Sequence, residues 1–268
     1  MHGLKEPLDR LMLKVERAKK HIIDLQAEGD RFFREHPYTF RSEINAQSGE
    51  REFYIITVKD VSLAFSIILS DVLNNLRSTL DHMCWHLACV GTGKIAAHRD
   101  ALFPTGENLT DYKARRQGIV SCMRTDAVEA IDALEPYGGG NGEIFYRLAR
   151  LSNFDKHRLL LTAMSAFEGH IATKSDREWI AKFHGGTPAD YIGGSILNPQ
   201  GRIFPLKAGD KLLAVSKLEV DEDMKFLVNI AFAEPEIARG TPVFETLNEM
   251  LNMIRNLINN FEFFGLFR

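Results

Sequence analysis

A row of polar side chains repeats at helical spacing inside a long apolar segment. At about 100° per residue, steps of four, three, four and four residues place its members on one narrow face of a helix. The row borders an apolar stripe, so its groups are expected to be partly buried and to need hydrogen-bond partners. Histidines in such a row can transfer protons, because their ordinary pKa lies near neutrality. The members of the row are Asp71, Asn75, Ser78, His82 and His86.

Three interpretations of this row are open. It can be a structural polar layer between packed helices, with its histidines committed to hydrogen bonds. It can be a metal site, because His82 and His86 at i and i+4 can face one ion, with Asp155 as the third ligand. Asp155 can alternatively cap a helix that restarts after residues 152–154. The third interpretation of the row is phosphodiester cleavage.

Arg77 and His82 are separated by four residues within the same predicted helix. This spacing resembles that of the HEPN ribonuclease superfamily, small helical bundles that carry an arginine, four to six residues and then a histidine. The resemblance implies metal-independent cleavage of RNA without a cofactor. His82 would exchange protons with the ribose 2′-hydroxyl or the leaving oxygen, and Arg77 would bind the phosphate. The candidate supporting residues are Asn75, Ser78, Asp81 and Asp155.

A straight helix sets Arg77 and His82 about 140° apart around its axis. The two side chains can therefore converge on one phosphate only across a symmetric dimer or at a local distortion. The partners expected from this resemblance are RNA and a second copy of the chain. A role in defence or stress response is the corresponding biological expectation.

A second polar block follows at residues 153–158. Lys156, His157 and Arg158 predict a local basic patch that could hold a phosphate backbone, or alternatively a solvated helix face. The chain also resembles a widespread group of bacterial proteins in which an Asn-Leu-Arg-Ser-x-Leu-Asp-His block and an Asp-Lys-His-Arg block both occur. In this sequence the two blocks are residues 75–82 and 155–158. The likeness links them as one candidate site, but it names no reaction.

The composition describes an ordinary globular chain of 268 residues, 45% hydrophobic and with a net charge of −3. A mildly acidic balance provides no global field for nucleic acid, so phosphate binding must come from a local group of residues. No stretch is long and apolar enough for a membrane span, and no signal core is evident at the start, so a cytoplasmic location is expected. The three cysteines lack a C-x-x-C pair, which argues against a zinc ribbon.

These residues must be positioned by a small number of long elements. The apolar periodicity predicts an α+β fold in one mixed domain, residues 1–268, with a bundle of long amphipathic helices, an N-terminal β-hairpin and a strand-rich insert. The second helix is expected to end at residues 91–93, Gly-Thr-Gly, where a glycine can take the left-handed cap, and Thr241 and Pro242 are expected to begin the last helix. The predicted helical segments are 4–35, 61–90, 124–166 and 241–265, with a shorter helix near 109–117, and the predicted strand-rich parts are 38–58 and 167–233.

The sequence thus favours a HEPN-like endoribonuclease with Arg77 and His82 as the reacting pair. Two other functions remain open. One is a non-catalytic binding or interaction protein in which the polar row is structural. The other is a metal-dependent helical-bundle hydrolase that uses His82, His86 and Asp155.

Overall fold

The computed structural model describes residues 7–95, 102–158, 161–171, 201–215 and 225–268, with the short segments 177–178, 181, 187 and 195–197. The fold is α+β, with a bundle of long helices and small antiparallel sheets, as the sequence predicts. The helices are α1 (Pro7–Arg34), α2 (Leu63–Thr92), α3 (Leu109–Ile119), α4 (Thr125–Asp132), α5 (Glu143–Arg158) and α6 (Val243–Phe263). The strands are β1 (Tyr38–Ile44), β2 (Arg51–Val58), β3 (Ala163–Ile171), β4 (Ser195–Leu197), β5 (Lys211–Val215) and β6 (Phe226–Phe232).

The bundle core forms where the apolar stripes of α1, α2 and α6 meet, because burying these stripes removes the most apolar surface from water. Helix α1 runs antiparallel to α2. Two hydrogen bonds fix this register: Lys14 Nζ to Ser78 Oγ at 3.1 Å, and Ser62 Oγ to Glu28 Oε1 at 2.6 Å. The opposite flank of α1 faces α6, where Arg255 Nη2 lies 3.1 Å from Glu16 Oε1.

The ends of α2 are set by local residues. Ser62 Oγ accepts a hydrogen bond from the Phe65 backbone amide at 3.2 Å, which satisfies one of the amide groups left open in the first turn. Gly93 ends the helix with a left-handed φ of 63°, which confirms the glycine cap predicted within residues 91–93. At the last helix the prediction is wrong by one residue: Pro242 is the N-cap, and Thr241 Oγ1 instead donates to the Ala238 carbonyl at 2.7 Å.

The strands form two three-stranded sheets in the described residues, in the orders β1-β2-β5 and β4-β3-β6. The hairpin of β1 and β2 confirms the sequence prediction. The predicted helical segment 124–166 is wrong at its end, because residues 163–166 belong to β3 and pair with β6. Alanine and methionine at these positions favour a helix locally, and the antiparallel pairing with β6 overrides that preference.

Candidate functional site

The predicted polar row lies on the flank of α2 that faces α1. Asn75 Nδ2 donates to the Asp71 carbonyl at 2.8 Å, and Ser78 Oγ donates to the Asn75 carbonyl at 3.2 Å. Ser78 also accepts the hydrogen bond from Lys14, so the row is satisfied partly by its own helix and partly by α1. The expectation that these polar groups have hydrogen-bond partners is therefore confirmed for Asn75 and Ser78.

A basic strip on α1 runs alongside this row. Its residues are spaced by four, three and four, so they share one face of α1, and Lys14 places that face against α2. Arg10 and Arg17 are exposed, whereas Lys14 and His21 are half-buried. The strip consists of Arg10, Lys14, Arg17 and His21.

In the antiparallel register, each residue of the basic strip lies at the same position along the helix axes as one residue of the polar row. Because Lys14 lies opposite Ser78, Arg10 is level with His82 and Arg17 is level with Asn75 along the helix axes. We call the patch formed by these two lines of side chains the α1–α2 surface. Its members are Arg10, Lys14, Arg17, His21, Asp71, Asn75, Ser78 and His82.

His82 is an exposed residue of this surface whose imidazole favours the neutral form. Partial burial of the ring lowers its pKa below the ordinary value, and the ammonium group of Lys14 lowers the pKa further. The carboxylate of Asp81 opposes this shift. A neutral imidazole at pH 7 has one nitrogen that accepts and one that donates a hydrogen bond.

The Lys14→Met variant is expected to raise the pKa of His82, because it removes a positive charge that disfavours the imidazolium form. An NMR titration of the histidine ring protons measures this directly. The matched control is Lys19→Met, which removes an exposed charge from α1 away from the strip and should leave the His82 titration unchanged. Equal titration curves for wild type and Lys14→Met would contradict the assigned electrostatic effect of Lys14 on His82.

His86, the last member of the row, is held by the C-terminal segment. Its Nε2 lies 3.3 Å from the Phe267 carbonyl oxygen, and its ring packs against the Phe267 ring with centroids 5.6 Å apart. Burial lowers the pKa of His86, and the hydrogen bond to Phe267 partly opposes that shift. His86 therefore serves the packing of the chain terminus in this structure.

Arg77 lies on a different face of α2 and binds the loop that contains Phe103. Its Nη2 donates to the Phe103 carbonyl at 3.0 Å and contacts Asp81 Oδ1 at 2.9 Å. The same Asp81 oxygen accepts a hydrogen bond from the Phe103 amide at 2.9 Å. The pair thus binds both backbone polar groups of Phe103, and the Arg77 side chain is only 11% exposed. Within one chain, the structure does not bring Arg77 to the surface that carries His82.

Asp155 contacts α2, but at neither predicted histidine. Its carboxylate accepts hydrogen bonds from Ser70 Oγ and, at 3.3 Å, from Asn74 Nδ2. Ser152 Oγ extends the network by donating to Asn74 Oδ1 at 3.3 Å. Helix α5 runs through this region without a break, so the predicted role of Asp155 as a cap is wrong.

The alternative metal site is not assembled in this structure. Asp155 lies in the α2–α5 interface, whereas His82 faces the α1 side of α2. The part of the chain that the structure describes contains no cluster of three or more His, Cys, Asp or Glu side chains suited to a metal ion. The predicted phosphate-binding block is only partly described: Lys156 is exposed, and the side chains of His157 and Arg158 lie outside the described residues.

The basic strip on α1 is the feature that sequence reasoning missed. Its spacing is visible in the sequence, but a charged line on an amphipathic helix is usually an ordinary solvated face. Its significance comes from the register with α2, which is set by tertiary packing.

No family model, curated protein or solved structure matches this chain. Within the described ranges, none of the helices combines the length and the apolar character that a bilayer crossing requires. The class defined by fold and site is an α+β helical-bundle protein with a basic and histidine-containing surface between two antiparallel helices.

Proposed function

We propose that this chain binds single-stranded RNA through the α1–α2 surface. The observation that carries the proposal is the hydrogen bond from Lys14 to Ser78, which aligns the basic strip with the polar row. Arg10, Lys14 and Arg17 lie along about 10 Å of helix axis, a length that spans successive phosphates of an extended strand. Guanidinium and ammonium groups are the side chains that bind phosphate oxygens best.

The α2 side of the surface supplies groups suited to bases and ribose. The Asn75 amide and the neutral His82 imidazole can each donate and accept hydrogen bonds, as recognition of a 2′-hydroxyl or a base edge requires. Trp85, one turn beyond His82, is 37% exposed and offers an aromatic face for stacking. Asp71 lies opposite His21, and its carboxylate would repel phosphate. The phosphates are therefore expected at the end of the surface that carries Arg10, Lys14 and Arg17.

The contacts of Arg77 support RNA binding better than they support RNA cleavage. For the HEPN-like mechanism, Arg77 would have to leave Phe103 and Asp81 and meet His82 of the same or another chain. The metal-dependent alternative would require Asp155 to leave Ser70 and Asn74. In contrast, the proposed binding surface uses side chains that already lie on one face.

The test is fluorescence anisotropy with a labelled 12-nucleotide RNA, in low salt and excess chelator. The double variant R10E/R17E should weaken binding by about tenfold or more, because it reverses two charges that face the phosphates. The matched control K19E/K20E changes the overall charge equally, at exposed positions of α1 outside the strip, and should bind nearly as well as wild type. Equal losses in the two variants would mean that binding is not localised at this surface.

The same incubations, analysed on a denaturing gel, distinguish binding from cleavage. The proposal predicts intact RNA for wild type. If wild type cleaves RNA in chelator and a folded His82→Ala variant does not, the chain is a nuclease and the binding-only proposal is overturned.

A further inference from the structure

A cleft lies at the other end of the bundle, where α1 ends and α2 begins. Its volume is about 520 Å³, which is in the size range of small-molecule sites. The start of β3, the segment before α2, and the loops at 204–208 and 233–239 form its walls. The apolar part of the lining includes Val58, Val61, Met164, Phe204 and Pro205.

Met164 is 44% exposed although it lies at the start of a strand whose neighbours Ala163 and Ser165 are buried. Phe204 and Pro205 beside it are only half-buried. An apolar body placed in the cleft would cover these side chains and remove their surface from water, which is the main source of affinity at such sites.

The lining of the cleft carries both signs of charge, with two acidic residues, Asp60 and Glu234, and more basic than acidic side chains. Glu234 Oε1 accepts a hydrogen bond from Thr162 Oγ1 at 3.0 Å.

Three exposed cations line the cleft, Lys59, Lys207 and Arg239. Lys59 Nζ already donates to the Glu35 carbonyl at 3.0 Å. Among the described residues, the ion pair of Arg239 is a 3.9 Å contact with the highly exposed Glu236, so breaking it to bind a ligand costs little.

The loop that carries Lys207 is held in place. The Lys207 amide donates to Asp210 Oδ2 at 2.7 Å, and the Asp210 amide donates back to the Lys207 carbonyl at 3.1 Å. Leu206, next to it, donates its amide to the Ser165 carbonyl at 2.9 Å. Lys207 is thus presented at the rim from an ordered turn, which lowers the entropy lost when its ammonium group binds an anion.

We propose that this cleft binds a carboxylate with a bulky apolar body, with the carboxylate beside Lys207 and Arg239 and the body against Met164 and Phe204. The site is independent of RNA binding. It lies next to the first turn of α2, whereas His82 is about 28 Å further along the helix axis. Loss of one activity therefore need not affect the other.

The test is isothermal titration calorimetry with three probes of one shape: 2-naphthoate, its neutral isostere 2-naphthamide, and 2-naphthylmethylammonium. The expected order of affinity is carboxylate, then amide, then ammonium. The double variant K207Q/R239Q should weaken naphthoate binding by about tenfold and leave naphthamide binding unchanged, because only the carboxylate uses the two cations. Unchanged naphthamide binding also shows that the variant is folded.

Two further variants localise the ligand. Met164→Ser should weaken naphthoate and naphthamide alike, since both cover that side chain. The control K113Q/R150Q removes two exposed cations outside the cleft lining and should change neither affinity. The proposal is overturned if no probe binds, if the amide binds as tightly as the carboxylate, or if K207Q/R239Q and K113Q/R150Q behave identically.

Discussion

Replacing Arg77 by alanine is expected to lower the free energy of unfolding by about 3 kcal/mol or more, the range found when one partner of a buried ion pair is removed. The variant would leave the largely buried Asp81 carboxylate without its cation and the Phe103 carbonyl without its side-chain donor. For a chain of this size, a loss of about 3 kcal/mol corresponds to a fall in Tm of about 5 °C. Differential scanning calorimetry measures it.

The matched control for this variant is Arg150→Ala, at an exposed position of α5, which should change Tm by very little. Asp81→Ala should resemble Arg77→Ala, because it removes the oxygen that contacts both Arg77 and the Phe103 amide. If Arg77→Ala keeps the wild-type Tm and instead abolishes an RNA-cleaving activity, Arg77 is a catalytic residue and its structural assignment is wrong.

Gly91→Ala is expected to destabilise the fold by about 3 kcal/mol, near the upper end of the cost of overpacking. An added Cβ at Gly91 would lie 2.3 Å from the Cys122 carbonyl oxygen and 2.9 Å from the Arg124 backbone nitrogen. Both are backbone atoms, so relief requires α2 to move away from the segment that leads into α4. Helix propensity alone predicts the opposite sign, because alanine is favoured over glycine by about 1 kcal/mol inside a helix.

Gly118→Ala separates the two effects. Gly118 also lies in a helix, α3, but an added Cβ there meets no atom within 4 Å. The variant should therefore raise the free energy of unfolding by up to about 1 kcal/mol. Chemical denaturation of both variants compares them directly. A Gly91→Ala protein that is as stable as Gly118→Ala would show that α2 does not approach residues 122–124 closely.

The long helices could be predicted from the sequence because their apolar residues repeat every three or four positions over many turns. Pro37 and Gly93 provided the stop signals for α1 and α2. The start of β3 could not be predicted in the same way. Its first residues, Ala163 and Met164, have helix-forming side chains, and their strand conformation depends on pairing with β6, more than 60 residues later.

The candidate site could be predicted only in part, for a similar reason. Helical spacing places Asn75, Ser78 and His82 on one face, which the structure confirms. Spacing on one helix cannot say which neighbour that face meets. Lys14 contacts this face only because α1 packs against α2 in this antiparallel register. Arg77 binds a loop only because the segment that contains Phe103 packs against α2.

The second of the two sequence blocks linked by the bacterial resemblance contacts α2 next to the first block rather than within it. Asp155 from the second block accepts hydrogen bonds from Ser70 and Asn74, which lie in the turn of α2 before the first block. A carboxylate joined to a serine and an amide between two helices stabilises their packing, since each group satisfies another. The HEPN-like ribonuclease remains a prediction from the Arg77 and His82 spacing.

The salt dependence of RNA affinity tests the central claim most directly. If Arg10, Lys14 and Arg17 each neutralise one phosphate, a plot of log K against log salt should have a slope of about −2 for wild type. The slope should fall to about −0.7 for R10A/R17A and stay at about −2 for K19A/K20A, because single-strand binding loses about 0.7 per phosphate contact. A slope that R10A/R17A leaves unchanged would show that RNA does not bind at the α1–α2 surface.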